Sequence, residues 1–188
     1  MKKLFLVIDP QYDFIEGGNL EVSGGTKALE NVCQHLLLNK SEYSFIALTS
    51  DWHPYNHCSF IGYGGIWNRH CVAHTKGASI FQPLLDSLWT LKLPHGIFCK
   101  GMKQNTLEYS VMDNDVSSKQ IISIIEQNEI DEIVVCGLAL DYCVIESIKG
   151  LIGSVPTIKV FLDGTASITN EGKENALKFF KENNIEII

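Results

Sequence analysis

The sequence predicts an α/β fold: an open, mainly parallel six-stranded sheet with helices on both faces. Two observations carry that expectation. Six short apolar runs, rich in β-branched and aromatic residues, recur at strand length. Between most of them lie longer stretches whose apolar residues repeat at helical spacing, and such alternation favours a parallel sheet covered on both sides.

The first strand is Leu4–Ile8. With Met1-Lys2-Lys3 before it, this start superficially resembles a secretory leader, but the apolar run stops at Asp9, short of the roughly 7–15 apolar residues such a core needs. Thr26–Leu38 reads as a helix with Leu29, Val32, Cys33 and Leu36 on one face, and Phe45–Thr49 as the second strand. Asp51–Pro94 then breaks the rhythm. It is long, rich in His and Trp, and helical only over Phe81–Leu91; long loops in compact domains are usually functional. Gly96–Cys99 is the third strand, followed by a second irregular stretch, Gly101–Val116. Ser117–Gln127 carries Ile121, Ile122, Ile124 and Ile125, with Ser117 or Ser118 as the expected N-cap. Ile133–Cys136 is a buried fourth strand, and a helix is expected to begin at Ile145. Ile158–Leu162 and Ile185–Ile188 complete the strands around a helix, Gly172–Asn183, that presents Ala176, Leu177, Phe179 and Phe180.

Composition narrows the function classes. With 188 residues, 45% of them apolar, the chain suits one domain over residues 1–188. A net charge of -7 disfavours an electrostatic hold on nucleic acid or an anionic membrane surface. No stretch approaches membrane-spanning length, and there is no internal repeat, phosphate-binding loop or dinucleotide glycine pattern. The six cysteines are expected to be free, with Cys33, Cys99 and Cys136 as inert core thiols, which fits a reduced, cytoplasmic compartment.

Ligands of open parallel sheets bind beyond the carboxyl ends of the strands. There the first strand ends at Asp9, the second at Asp51, the third at Lys100 and the fourth just before Cys143. Cys143 lies where strand hands over to helix. A thiol at a helix N-terminus is expected to be acidified into a nucleophile, with backbone N–H groups near Leu140 and Cys143 able to hold an oxyanion, although a buried Cys is also a common core residue. Asp9 can take the thiol proton or cap a loop. Lys100 can stabilise a thiolate or reach solvent. Phe14 and Trp67 can wall a flat apolar pocket or pack in the core.

Asp51-Trp52-His53 places a carboxylate and an imidazole on one side of an extended chain. His57, Cys58, His70, Cys71 and His74 follow within a short distance, and O and N donors of this kind suit zinc, iron or manganese, against the alternative of polar loop histidines without metal.

These pieces together resemble the nicotinamidases, or pyrazinamidases, of the isochorismatase-like cysteine hydrolases. The matching segments are Asp9-Pro10-Gln11-Tyr12-Asp13-Phe14, Gly17-Gly18-Asn19-Leu20, Thr49-Ser50-Asp51-Trp52-His53-Pro54, Asn56-His57-Cys58-Ser59-Phe60, Trp67-Asn68-Arg69-His70-Cys71-Val72, Lys100-Gly101, Gly137-Leu138-Ala139 and Asp141-Tyr142-Cys143-Val144. The resemblance implies a Rossmann-like three-layer domain with a metal and substrate loop at about 51–80. It implies a catalytic triad of Asp9, Lys100 and Cys143 and one divalent metal, zinc before iron or manganese, on Asp51, His53 and His70. His57 matches a further ligand of some members. The substrate would lie against Phe14, Trp67, Leu138, Ala139, Leu140 and Tyr142, with its pyridine nitrogen at the metal. The implied reaction is hydrolysis of nicotinamide, and of pyrazinamide, through a cysteine thioester, in NAD salvage. The oligomeric state stays open, a homodimer being one arrangement.

Two positions depart from the family pattern. Leu140 stands where Thr is common, beside a peptide that is often cis, and His74 stands where Gly or Asn is usual. His74 is expected either to bend the loop differently or to approach the metal region. The sequence also admits three other readings: a metallohydrolase using metal-bound water with Cys143 as core, a non-catalytic binding module, and another amidase of the same family.

Overall fold

The computed structural model describes residues 1–188. It contains six strands, β1 Lys3–Ile8, β2 Tyr43–Asp51, β3 His95–Lys100, β4 Glu132–Leu138, β5 Thr157–Ala166 and β6 Glu186–Ile187. Five α-helices accompany them: α1 Gly25–Asn39, α2 Gln82–Leu91, α3 Ser117–Gln127, α4 Ile145–Leu151 and α5 Asn170–Glu182. The sheet order is β3-β2-β1-β4-β5-β6 and every neighbouring pair is parallel, so the expected mainly parallel sheet is wholly so. The chain winds outward from β1 through β2 to β3, then returns to place β4 on the other side of β1. The order reverses between β1 and β4, where the carboxyl ends of an open sheet leave a crevice.

Strand alternation divides the core in two. Phe5 and Val7 of β1 face a cluster with Leu29, Val32 and Leu36 of α1 and Leu84 and Leu88 of α2. Leu4, Leu6 and Ile8 face the other cluster, with Ile121 and Ile125 of α3, Ile148 and Leu151 of α4, and Ala176 and Phe180 of α5. All five β1 residues from Leu4 to Ile8 are fully buried. At about 1.5–3 kcal/mol for each large apolar side chain removed from water, this central strand is a main anchor of the layers.

Several local expectations need correction. The N-terminus of α3 is held by neither Ser117 nor Ser118. Asn114 accepts the N–H groups of Val116 and Ser117 on Oδ1, while the buried Ser117 hydroxyl donates to the Cys99 carbonyl at 2.6 Å. Helix α5 starts two residues before Gly172, because Thr169 accepts the Gly172 N–H. Strand β5 continues past Leu162, and its polar Asp163 and Thr165 conceal this in the sequence. Cys136 is buried, but Cys33 and Cys99 are only half-buried; all six cysteines are free. Cys143 does not open a helix. It is the fourth residue of a π-helical turn, Leu140–Val144, that leads into α4. No helix is long and apolar enough to cross a membrane.

The loop before α1 carries its own fastening. Gly24 occupies the N-cap with no side chain to offer. Glu16 reaches across instead and accepts the N–H groups of Gly24 at 2.7 Å and Thr26 at 2.8 Å, together with the Thr26 hydroxyl. The Thr26 hydrogen bonds draw the Glu16 carboxyl down to about 2 from an ordinary 4.5. Glu16→Gln should therefore cost about 1 kcal/mol at neutral pH. Because the folded-state pKa is depressed, that contribution is complete above the ordinary value and is lost as pH falls through about 2. Urea titrations of both proteins should show the difference shrinking between neutral pH and about pH 3; a pH-independent difference would contradict this role.

Candidate active site

The four strand ends converge on one ammonium. Asp51 and Lys100 are register partners on β2 and β3, so both side chains point to the same side of the sheet. Lys100 is fully buried, with Nζ 2.5 Å from Asp51 Oδ1, 2.9 Å from Asp9 Oδ2 and 3.5 Å from Cys143 Sγ. Asp9 follows β1 in a left-handed conformation, φ 46°, and is fixed by Thr49. The Thr49 hydroxyl donates to Asp9 Oδ1 at 2.6 Å and accepts the Asp9 N–H at 3.0 Å. Asp9 Oδ2 has no hydrogen-bond partner: its contact with Lys100 is close but lacks hydrogen-bond geometry. The Asp9 carboxylate also lies within 4.8 Å of the Cys143 sulfur, as an acceptor beside the thiol.

Two carboxylates compete here for one cation, and the competition separates them. Burial works against the charge of Asp51, but Lys100, then His53, outweigh it and hold Asp51 well below the usual carboxylate range. Burial dominates at Asp9 and raises its pKa, against the pull of Lys100 and with the help of Asp51. Lys100 stays charged, since Asp51 and Asp9 overcome the burial that would lower it. For Cys143 the direction opposes the expected acidification. Burial pushes the thiol well above its ordinary value, Lys100 opposes that, and Asp9 and Asp51 add to it. The resting group is thus a thiol with a base beside it, not a free thiolate.

Asp51 also faces two imidazoles. Its Oδ2 lies 3.4 Å from His53 Nε2 and 3.9 Å from His70 Nε2, and the donor atoms of all three residues lie within 4.8 Å of one another. His53 Nδ1 meets the Gly101 carbonyl at 2.9 Å and His70 Nδ1 the Asn68 carbonyl at 2.7 Å. A carbonyl only accepts, so each Nδ1 carries a proton and each Nε2 faces Asp51. One carboxylate oxygen and two oriented imidazoles, each with an outer hydrogen bond, fit a zinc-type divalent ion. Burial lowers His70, whereas at His53 the Asp51 carboxylate overcomes burial and raises it. His57 stacks on His53 with ring centroids 4.1 Å apart; Ser59 Oγ holds its Nδ1 and the Thr106 carbonyl its Nε2, and in this arrangement it stands outside the three-donor group. His74 bends the loop, with φ 67°, and sets its ring edge-on to Trp52 away from the three donors. The oxygens and sulfur of Asp9, Asp51 and Cys143 are equally close together, but Lys100 already supplies their cation.

Above this cluster lies a partly enclosed cavity with a mainly apolar lining. Phe14, Trp67, Ala139, Tyr142 and Cys143 line it alongside Asp51, His53 and His70. Trp67 meets Tyr142 edge-on at 4.9 Å and donates its Nε1–H to Tyr109 at 3.0 Å, so the aromatic wall is braced. Asp9 and Lys100 do not line the cavity; both are fully buried. The expected contacts of Leu138 and Leu140 need correction. Their side chains are buried in the two opposite core clusters, leaving only backbone to meet a ligand. The Leu138–Ala139 peptide is cis.

Sequence patterns do not single out Gln11 or Glu108. Gln11 is buried and bonds both the N–H and the carbonyl of Asp51, as well as the Ala78 carbonyl, which fixes the backbone that aims the Asp51 carboxylate. Glu108 lines the cavity; in the sequence its one mark is to be the only acid between Lys100 and Asp113, which gives it no role by itself.

No protein-family model matches the chain. A nicotinamidase/pyrazinamidase of Mycobacterium tuberculosis is 30% identical over 190 residues, which cover 99% of this chain and 98% of that protein. Among solved structures, the pyrazinamidase of Pyrococcus horikoshii in complex with zinc superposes with a TM-score of 0.86 at 29% identity, covering 100% of this chain and 99% of its own. A protein of L. infantum in complex with nicotinate gives a TM-score of 0.87 at 27% identity, covering 100% and 92%.

The electrostatic arrangement makes a direct prediction. Lys100 is the one group that opposes the upward push on the Cys143 thiol. Lys100→Met should move the alkylation of Cys143 by iodoacetamide to higher pH, with the neutral-pH rate falling about tenfold per pKa unit. An alkylation profile identical to wild type would remove Lys100 from this role.

Proposed function

Because the chain belongs to the nicotinamidase/pyrazinamidase family of isochorismatase-like amidohydrolases, we propose that it hydrolyses nicotinamide to nicotinate and ammonia through a thioester on Cys143. The observation that carries the reading is the Lys100 ammonium set between Asp51, Asp9 and Cys143 beneath an aromatic cavity. Pyrazinamide, a planar amide of similar size, is a second expected substrate, and deamidation of nicotinamide suits NAD salvage.

The residues divide the work as follows. Asp9 Oδ2 takes the Cys143 proton while Lys100 steadies the emerging thiolate. The sulfur attacks the amide carbon, and backbone N–H groups of Leu140 and Cys143 receive the developing oxyanion. As the carbon–nitrogen bond breaks, Asp9 returns the proton to the departing ammonia. Water then attacks the thioester carbonyl, Asp9 accepts its proton, and cleavage of the carbon–sulfur bond releases nicotinate and restores the thiol. The raised pKa of Asp9 suits both duties, since a base that must also act as an acid works best with a pKa closer to neutrality. Phe14, Trp67 and Tyr142 hold the flat ring and exclude water from its faces. Asp51, His53 and His70 would hold a divalent ion, zinc by donor type, whose chemistry is to accept the ring nitrogen and so orient the ring.

Cys143→Ala should lower ammonia release from nicotinamide by at least about a thousandfold while leaving the fold intact. Undiminished release would reject the thiol as nucleophile and favour metal-bound water instead. Chelation, or His53→Ala or His70→Ala, should act mainly on KM and lower the zinc content. Wild-type zinc content in both single variants would reject these ligands.

A further inference from the structure

The Lys100–Gly101 corner serves two parts of the site at once. Lys100 precedes it, and the Gly101 carbonyl accepts the Nδ1–H of His53 at 2.9 Å. Gly101 has φ 66°, and a Cβ there would run into the His53 ring, so glycine is what lets the imidazole lie against the backbone. The peptide joining Lys100 to Gly101 is fastened at both ends. Its carbonyl accepts the Trp52 N–H at 2.9 Å, and its N–H donates to Glu108 Oε2 at 2.7 Å.

Glu108 is itself held. It is a buried carboxylate with no ion-pair partner, and its Oε2 also accepts from Asn114 Nδ2 at 3.0 Å. Asn114 in turn accepts the N–H groups of Val116 and Ser117, at the start of α3, on Oδ1. A continuous chain of hydrogen bonds thus runs from the start of α3 through Asn114, Glu108 and Gly101 to His53. A buried carboxylate without a cation is costly unless N–H donors satisfy it, and here both donors belong to this chain of contacts.

We propose that Glu108 is a positioning residue: through the Gly101 backbone it keeps His53 in the Nδ1–H form, with Nε2 turned to Asp51, and holds the corner that carries Lys100. The part concerning Lys100 rests on the amidase reading above; the part concerning His53 rests on hydrogen bonds alone. Outer partners of this kind typically govern metal affinity by about 10–100-fold.

Two conservative variants separate reach from charge. Glu108→Gln keeps an acceptor at the same distance from the Gly101 N–H and loses the charge. Glu108→Asp keeps the charge and withdraws it by one methylene. Zinc affinity of the purified protein should stay within about threefold of wild type in E108Q and fall about 10–100-fold in E108D. Long-range ¹H–¹⁵N spectra of metal-free protein, recorded at rising pH until the His53 signals stop moving, should show neutral His53 protonated on Nδ1 in wild type and E108Q and a mixture of both forms in E108D. Wild-type zinc affinity in E108D, or equal losses in both variants, would overturn the proposal. So would a wild-type His53 protonated on Nε2, whichever variants fold. Nicotinamide hydrolysis is measured separately on the same samples: its absence from wild type, with the zinc and tautomer results as expected, would count against the amidase reading and leave the positioning of His53 standing.

Discussion

The structure of the site depends on one buried ammonium. Lys100 is fully buried, and two carboxylates and a thiol stand around it. Burying charges costs several kcal/mol per ion unless the partners are close and well placed. Here the sheet supplies the placement. β1, β2 and β3 are adjacent, and Asp9, Asp51 and Lys100 stand at their carboxyl ends. One cation cannot satisfy two carboxylates equally. Asp51, closer and also faced by imidazoles, keeps its charge, while Asp9 is left with a raised pKa and an open oxygen beside the thiol.

Asp51 is the joint between two chemistries. One carboxylate oxygen meets Lys100 and the other meets His53 and His70. The reaction cluster and the metal-type donors thus share a wall of the same cavity and a single side chain. Gln11 bonds both backbone groups of Asp51, so that joint is held from the main chain. Elsewhere in the lining, Trp67, Tyr109 and Tyr142 brace one another. A flat ring entering the cavity would meet groups already in place.

Much of this was legible in the sequence because strand ends are simple to locate. Once Leu4–Ile8, Phe45–Thr49, Gly96–Cys99 and Ile133–Cys136 are read as neighbouring strands, Asp9, Asp51, Lys100 and Cys143 fall on one rim without any knowledge of side-chain direction. What escaped depends on direction and on distant partners. Leu138 and Leu140 flank the cavity along the chain, but their side chains enter opposite cores. His57 looks like any other loop histidine until the Thr106 carbonyl, from a separate loop, takes its Nε2. The acidity expected for Cys143 came from a local rule about helix ends. The folded chain sets against it a π-helical turn, deep burial and two neighbouring carboxylates, none of which a local rule can register.

The claim that the buried ammonium serves an acyl-transferring thiol is tested most directly by the partitioning of a common intermediate. Nicotinamide and the methyl ester of nicotinic acid differ only in their leaving group. If both acylate Cys143, then in the presence of hydroxylamine the two substrates must give the same ratio of nicotinohydroxamate to nicotinate, because that ratio is decided after the leaving group has gone. Identical ratios at several hydroxylamine concentrations are the predicted result. Ratios that differ between amide and ester, or hydrolysis of both without any hydroxamate, would contradict the account.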